Sequence, residues 1–257
     1  LGNLPDTVDG QCYARDYAER GLAAPYEGVL STNPLEQFFE GHLSGPGIWK
    51  WRHYFEMYHR HLEKFVGKDV QFAEIGVFSG GSLQMWKSYL GDRAHIHGID
   101  LDESTLAYGG GNVTIHVGDQ ADRSFWACFR RAVPVLDVVV DDGGHTPEQQ
   151  RVTLEELLPH LRQGGVYICE DIHRDGNAFT AYVAGLIDQF NAVQGSTDMP
   201  TTSFQSAVAS MHVYPFAVVI EKRVRPLPEL VAERRGTEWQ PPLVVREGYG
   251  QIEGRGA

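Results

Sequence analysis

The amino-acid sequence predicts an α/β protein, a doubly wound and mostly parallel sheet preceded by an N-terminal helical segment. Three observations lead there. From Val70 onward, short β-branched runs alternate with stretches of helical period, the pattern of a parallel sheet joined by crossover helices. The first run ends in a glycine-rich turn, Gly76 to Gly81. The fourth and fifth end in paired acids, Asp141-Asp142-Gly143-Gly144-His145 and Glu170-Asp171-Ile172-His173. In an open sheet of this kind, ligands collect in the crevice outside the carboxyl ends of the strands.

Residues 1–30 are rich in Gly, Pro and Asp without a period and read as an extended arm. Asn33-Pro34 supplies a cap and a first-turn proline for a short helix through Phe38 and Phe39. The spacing then predicts a longer helix from Ile48 to Val66, with Trp51, Phe55, Tyr58, Leu62 and Phe65 as one buried stripe. His53, Tyr54, His59 and His61 lie near that stripe; each taken singly reads as a packed or solvated helix residue. The segment as a whole is placed to cover an active site.

Strands are expected at Val70–Val77, His95–Asp100, Val113–Val117, Leu136–Val140 and Gly165–Cys169. A helix containing Leu83, Trp86 and Leu90 follows the first strand. Between the fourth and fifth, Thr146-Pro147-Glu148-Gln149 is a capping box with proline at the first helical position. Leu154, Leu157, Leu158 and Leu161 form that helix's apolar face, and Gly164-Gly165 is expected to stop it. A helix from Phe179 to Val193 buries Tyr182, Val183, Leu186, Ile187 and Phe190. Ala207–Val213 and Phe216–Ile220, parted by Tyr214-Pro215, read as a closing pair of strands. Three segments result: an arm and helical cap over 1–67, a core over 68–223, and a Pro-, Arg- and Gly-rich surface extension over 224–257.

Composition narrows the function. Thirty-four acids against 22 Lys and Arg give a net charge of −12. Binding a phosphate backbone wants clustered positive charge, so nucleic acid is a poor partner. No apolar run approaches the roughly 20 residues that span a bilayer, and no signal-peptide pattern is seen; a soluble chain is expected, cytoplasmic if bacterial. A first residue of Leu1 instead of methionine reads as an excised or processed piece. Cys12, Cys128 and Cys169 are widely spaced, which argues against a disulfide scaffold or structural zinc. Cys169 reads as a small buried apolar residue. The sequon Asn112-Val113-Thr114 sits at a strand start and is read as a chance match. A homo-oligomer is compatible with all of this.

Glycines let Gly76-Val77-Phe78-Ser79-Gly80-Gly81-Ser82 turn tightly beside a ligand, while the following helix N-terminus favours an anionic group. The spacing is not the G-x-G-x-x-G of dinucleotide binding. With Glu74 two residues before Gly76, it resembles the E/D-x-G-x-x-x-G loop of class I S-adenosylmethionine-dependent methyltransferases. That resemblance assigns Glu74, Gly76, Ser79, Gly80 and Ser82 to cofactor binding. It gives Asp100, ending the second strand, the ribose hydroxyls, and Asp119 and Gln120, ending the third, the adenine. Asp141 is placed on the cofactor side as a turn residue.

The acids of the fourth and fifth strands are either turn-forming residues and helix caps or cation ligands. Like charges converging on one crevice repel, and buried unpaired carboxylates are costly. A hard cation such as Mg²⁺, which takes oxygen ligands, resolves the conflict. Together with Gly164-Gly165-Val166-Tyr167-Ile168-Cys169, His212-Val213-Tyr214-Pro215 and Val218-Val219-Ile220-Glu221-Lys222, they resemble the metal-dependent O-methyltransferases of macrolide deoxysugars, the mycinamicin/tylosin type. The resemblance runs from about Trp49 to Lys222. It implies that Asp142, Glu170 and Asp171 hold Mg²⁺ and that His145 is the base. It also implies S-adenosylmethionine as methyl donor and a hydroxyl on a sugar or glycosylated natural product as acceptor. An imidazole's ordinary pKa near 6.5 suits a general base at neutral pH.

One departure stands out: the family's Thr-Asp-Lys-like stretch is replaced by Ser44-Gly45-Pro46-Gly47-Ile48-Trp49-Lys50, where Lys50 is the candidate substitute. Acceptor choice is expected in residues 1–50, in Gln194–Ser206 and in the C-terminal extension, the regions with least resemblance. Competing readings are a cephalosporin-hydroxylase-like enzyme on the same fold and a non-catalytic S-adenosylmethionine-binding module; the glycine spacing disfavours an NAD-dependent oxidoreductase.

Overall fold

In the computed structural model, residues 33–173, 177–193, 200–233 and 235–236 are described. The arm over 1–30, residues 194–199 of the Gln194–Ser206 stretch, and all but the start of the C-terminal extension lie outside them. Two helices come first, α1 (Pro34–Gly41) and α2 (Tyr54–Leu62), with a 3-10 turn at Glu63–Phe65. The alternating core follows: β1 (Val70–Ile75), α3 (Gly81–Leu90), β2 (Ala94–Asp100), β3 (Val113–Val117), α4 (Arg123–Ala132), β4 (Leu136–Asp141), α5 (Pro147–Leu157) and β5 (Leu161–Cys169). Then come α6 (Phe179–Phe190), the short α7 (Ser203–Ala207), β6 (Val208–Tyr214) and β7 (Ala217–Lys222).

The strands form one sheet in the order β3-β2-β1-β4-β5-β7-β6. β1 to β5 are parallel, and β7 runs antiparallel to both β5 and β6. The chain moves outward from β1 to β3 and then returns to place β4 on β1's other side. That reversal opens a crevice above the carboxyl ends of β1 and β4.

Both faces are covered, as near-continuous apolar strands require. On one face α1, α2 and α3 pack Leu35, Phe55, Tyr58, Leu62 and Trp86 on Phe72, Ile96, Val138 and Ile168. On the other, Trp126, Phe129, Val152, Leu157 and Phe179 cover Ala73, Ile75, Val139 and Tyr167. Trp86 and Trp126 are fully buried, and each indole N–H has a partner, Glu74 and the Gln120 carbonyl. Such aromatic residues dominate core energetics.

The caps at Asn33 and Thr146 form as the sequence predicts, the second as a reciprocal box with Gln149. Three expected boundaries are corrected. Residues 47–53 are not helical; they run as a strap, and α2 begins only at Tyr54. Gly45, with φ of +96°, and Pro46 break the chain there, and Lys50 and Trp51 turn to the acids Asp142 and Asp171 instead of onto a helix face. Gly164-Gly165 do not stop α5. They lie inside β5, where a register shift against β4 absorbs them, so Leu161 belongs to that strand. α6 ends at Phe190 rather than Val193. The helix α4, capped by Asp122 on the Ser124 amide, was not foreseen.

Candidate active site

The glycine turn after β1 is shaped by its own backbone. Gly76 has φ of +90°, and a Cβ there would collide with the Asp142 carbonyl, so this close approach of β1 to β4 requires glycine. Asp100, at the end of β2, uses one oxygen to accept the Val77 and Phe78 amides, both at 2.9 Å, and the other to accept Asp102 N–H at 2.9 Å. The acid thus shapes the loop while still lining the cavity. Glu74 is fully buried and accepts from Ser82 Oγ at 2.8 Å and Trp86 Nε1 at 2.9 Å. Burial raises its pKa, with Lys50 and the two donors pulling the other way.

At the end of β4, Gln120 ties the turn together. Its Nε2 donates to Asp141 Oδ1 at 3.0 Å and Thr153 Oγ1 at 3.1 Å, and its Oε1 accepts Gly144 N–H at 2.7 Å. Asp141 also accepts from the Tyr167 hydroxyl, and burial pushes its carboxyl up to about 7. Asp142 and His145 project past this turn toward Asp171. His145 Nε2 lies 3.8 Å from Asp142 Oδ1 and 3.7 Å from Asp171 Oδ2. One donor atom from each of the three falls within 4.8 Å of the others. His145 Nδ1 is buried without a hydrogen-bond partner among the described residues.

Glu170 is held differently. It is fully buried, with the Tyr58 hydroxyl donating to Oε1 at 2.5 Å and Lys50 Nζ to Oε2 at 3.1 Å. Burial pushes its carboxyl up to about 8 against the pull of Lys50. Asp171 accepts from the Tyr54 hydroxyl at 2.9 Å and Trp51 Nε1 at 3.0 Å. The Asp171 amide in turn donates to Tyr54 at 3.2 Å.

Strap, glycine loop and acids enclose one cavity of about 600 Å³, within the range usual for small-molecule sites. Gly76, Ser79, Ser82, Asp100, Asp119 and Gln120 line it, as do Asp142, His145, Glu170 and Asp171. Glu74, Gly80 and Asp141 do not; they support the lining from behind. Trp49 and Phe78 stand at the mouth, 89% and 75% exposed. The sequence reading misses the roles of Trp51 and Tyr58, which it places on a helix stripe, and of Tyr54, which it places beside that stripe. For Tyr54 and Tyr58 the signal is the phenol edge, since a buried phenol needs a partner; the exposed Trp51 offers no such signal. The donor set fits a hard divalent cation: Asp142, Glu170 and Asp171 bring three cavity-lining carboxylates, the Lys50 ammonium meets Asp142 and Glu170, and oxygen is what such ions take.

Residues 73–172 match the family described as a methyltransferase domain. The chain is 32% identical over 177 residues to demethylmacrocin O-methyltransferase of Streptomyces fradiae. Over 177 residues it is 36% identical to mycinamicin VI 2''-O-methyltransferase of Micromonospora griseorubida. Each alignment covers 65% of this chain and 42% of the relative, so the chain spans less than half the length of these proteins. Among solved structures, the MycE methyltransferase of mycinamycin biosynthesis, in complex with Mg and SAH, superposes with a TM-score of 0.64 at 25% identity, over 74% of this chain and 54% of that one. Glycine turn, strand order and acid-ended strands converge with these findings: residues 73–172 match a methyltransferase domain, and the chain is similar to the macrolide sugar O-methyltransferases over the part it shares with them.

Proposed function

We propose that this protein is a Mg²⁺-dependent O-methyltransferase that moves the methyl group of S-adenosylmethionine to a hydroxyl on the sugar of a glycosylated natural product. The observation that carries the reading is the single cavity in which the glycine loop faces the Asp142–His145–Asp171 cluster. The donor's class comes from that loop and the methyltransferase-domain match; the acceptor's class comes from the relatives' names.

In this reading Gly76, Ser79, Ser82, Asp100, Asp119 and Gln120 form the cofactor wall, with Glu74, Gly80 and Asp141 behind it. Asp142 and Asp171 hold the cation from the cavity side, and Glu170, anchored by Tyr58 and Lys50, completes the acidic end. When bound, the divalent ion lowers the acceptor hydroxyl's pKa and orients it. His145 Nε2 takes the hydroxyl proton as the oxygen displaces the sulfonium sulfur from the methyl carbon. The strap, with α2, excludes water and fixes Asp171 through Trp51 and Tyr54. Segment 68–223 carries transfer, and the strap with α2 covers the site.

Incubating the protein with S-adenosylmethionine, Mg²⁺ and a panel of glycosylated macrolides tests this by mass spectrometry. S-adenosylhomocysteine and a methylated acceptor are expected, with turnover abolished by EDTA and restored by Mg²⁺. Turnover that persists after complete metal removal overturns the cation's role; absence of cofactor binding overturns the transferase reading.

A further inference from the structure

Among the described residues, Lys50 is the only lysine or arginine that lines the cavity. It comes from the strap, outside the alternating core, and its side chain is 3% exposed. Its Nζ lies 2.5 Å from Asp142 Oδ2, 3.1 Å from Glu170 Oε2 and 3.7 Å from Glu74 Oε1, with the Tyr58 ring at 5.8 Å. One ammonium is therefore shared by acids at the ends of β1, β4 and β5. The division of Asp142 is the telling detail: Oδ2 takes the ammonium, while Oδ1 faces His145 and the cavity.

We propose that Lys50 is a built-in counter-ion of the divalent-cation site, one that fixes Asp142 and Glu170 and weakens their pull on the ion so that it stays exchangeable. The inference rests on the reading of Asp142, Glu170 and Asp171 as that site. Two positive charges drawn to one carboxylate repel each other, and in a water-poor pocket the repulsion is poorly screened. Without Lys50, Asp142 and the fully buried Glu74 and Glu170 would have the divalent ion as their principal cationic compensation. Charge burial of this kind is costly unless paired.

Mn²⁺ binding to the full chain, followed by the signal of free Mn²⁺ in electron paramagnetic resonance, tests the proposal apart from any methyl transfer. Lys50→Met is expected to bind Mn²⁺ about tenfold tighter or more than the unaltered protein, in line with removal of a nearby like charge. Its melting temperature should also rise more on Mn²⁺ addition. Lys50→Arg, which keeps the charge, should stay close to the unaltered protein. If Lys50→Met does not fold, the comparison of Glu74→Gln with Glu74→Gln/Lys50→Met asks the same question with one fewer buried acid. A disrupted site loses affinity, so tighter binding cannot arise from damage. Equal or weaker binding on neutralising Lys50 overturns the proposal. Failure of the unaltered protein and every variant to bind Mn²⁺ instead overturns the cation-site reading beneath it.

Discussion

Four non-glycine residues have positive φ among the described residues: Phe78, His145, Asp171 and Phe216. Three of them line the cavity, and the fourth offers its carbonyl to Tyr54 beside it. The left-handed region costs an ordinary side chain about 1–2 kcal/mol, so strain is concentrated where chemistry is proposed. At His145, with φ of +56°, the backbone lifts the ring clear of the Gly143-Gly144 turn toward Asp142 and Asp171. His145→Ala and His145→Gly should each lower turnover about 100-fold or more, the usual worth of a positioned base. The two should differ in melting: the glycine variant is expected to be about 0.5–1 kcal/mol more stable than the alanine one, because glycine accepts this conformation freely. Cofactor affinity, read by calorimetry, should hold in both; a large loss there would point to a positioning role instead. The sequence places Asp142, His145 and Asp171 just past the carboxyl ends of two strands, where an open α/β sheet gathers its ligands. It does not show that Glu170 spends both oxygens on Tyr58 and Lys50, since those partners lie 112 and 120 residues away.

At the scale of elements, the strap over residues 47–53 decides the shape of the site. Gly81, the first residue of α3, lies so close to it that a Cβ would run into the Pro46 and Gly47 carbonyls. Helix propensity alone predicts that Gly81→Ala stabilises α3 by about 1 kcal/mol; the steric conflict predicts the opposite. A lower melting temperature is expected, together with weaker S-adenosylmethionine binding, since the strap and the N-terminus of α3 are pushed apart beside the glycine loop. A stabilised variant with unchanged binding would show that the strap yields freely. The five parallel strands were legible because each is a β-branched run, and α5 because its cap is written in four consecutive residues. The strap was not. Trp51 falls in step with Phe55, Tyr58 and Leu62, so periodicity extends the helix backward past its true start. What overrides it is long-range: Lys50 and Trp51 find acids on β4 and β5 that no local window contains. The Gly164-Gly165 pair misled in the same way, because the bulge that absorbs it exists only through pairing with β4.

For the molecule as a whole, the N-terminal helices are locked to the far edge of the sheet by a second polar cluster. His61 of α2 is buried between Glu221 of β7, at 2.9 Å, and the Tyr214 hydroxyl of β6, also at 2.9 Å, with Lys64 at 3.6 Å from Glu221. The hydrogen bond from His61 holds the Glu221 carboxyl well down, to about 2 against an ordinary 4.5. A carboxylate held down in the folded state contributes stability above its unfolded pKa and loses it as the pH falls toward the folded one. Glu221→Gln is therefore expected to cost about 1–2 kcal/mol at pH 7, with the difference shrinking between about pH 4.5 and 2. Urea unfolding across that range checks it; a gap independent of pH would assign the loss to packing. Closer to the site, Tyr54 lies 3.1 Å from the Phe216 carbonyl, which also accepts the Ile172 amide at 2.9 Å. That amide follows directly on the acids, yet its partner belongs to the turn between β6 and β7. Deuterium uptake at Ile172 thus times how often the rim parts from the sheet edge, and cation or cofactor occupancy becomes readable as a slower exchange clock at one backbone nitrogen.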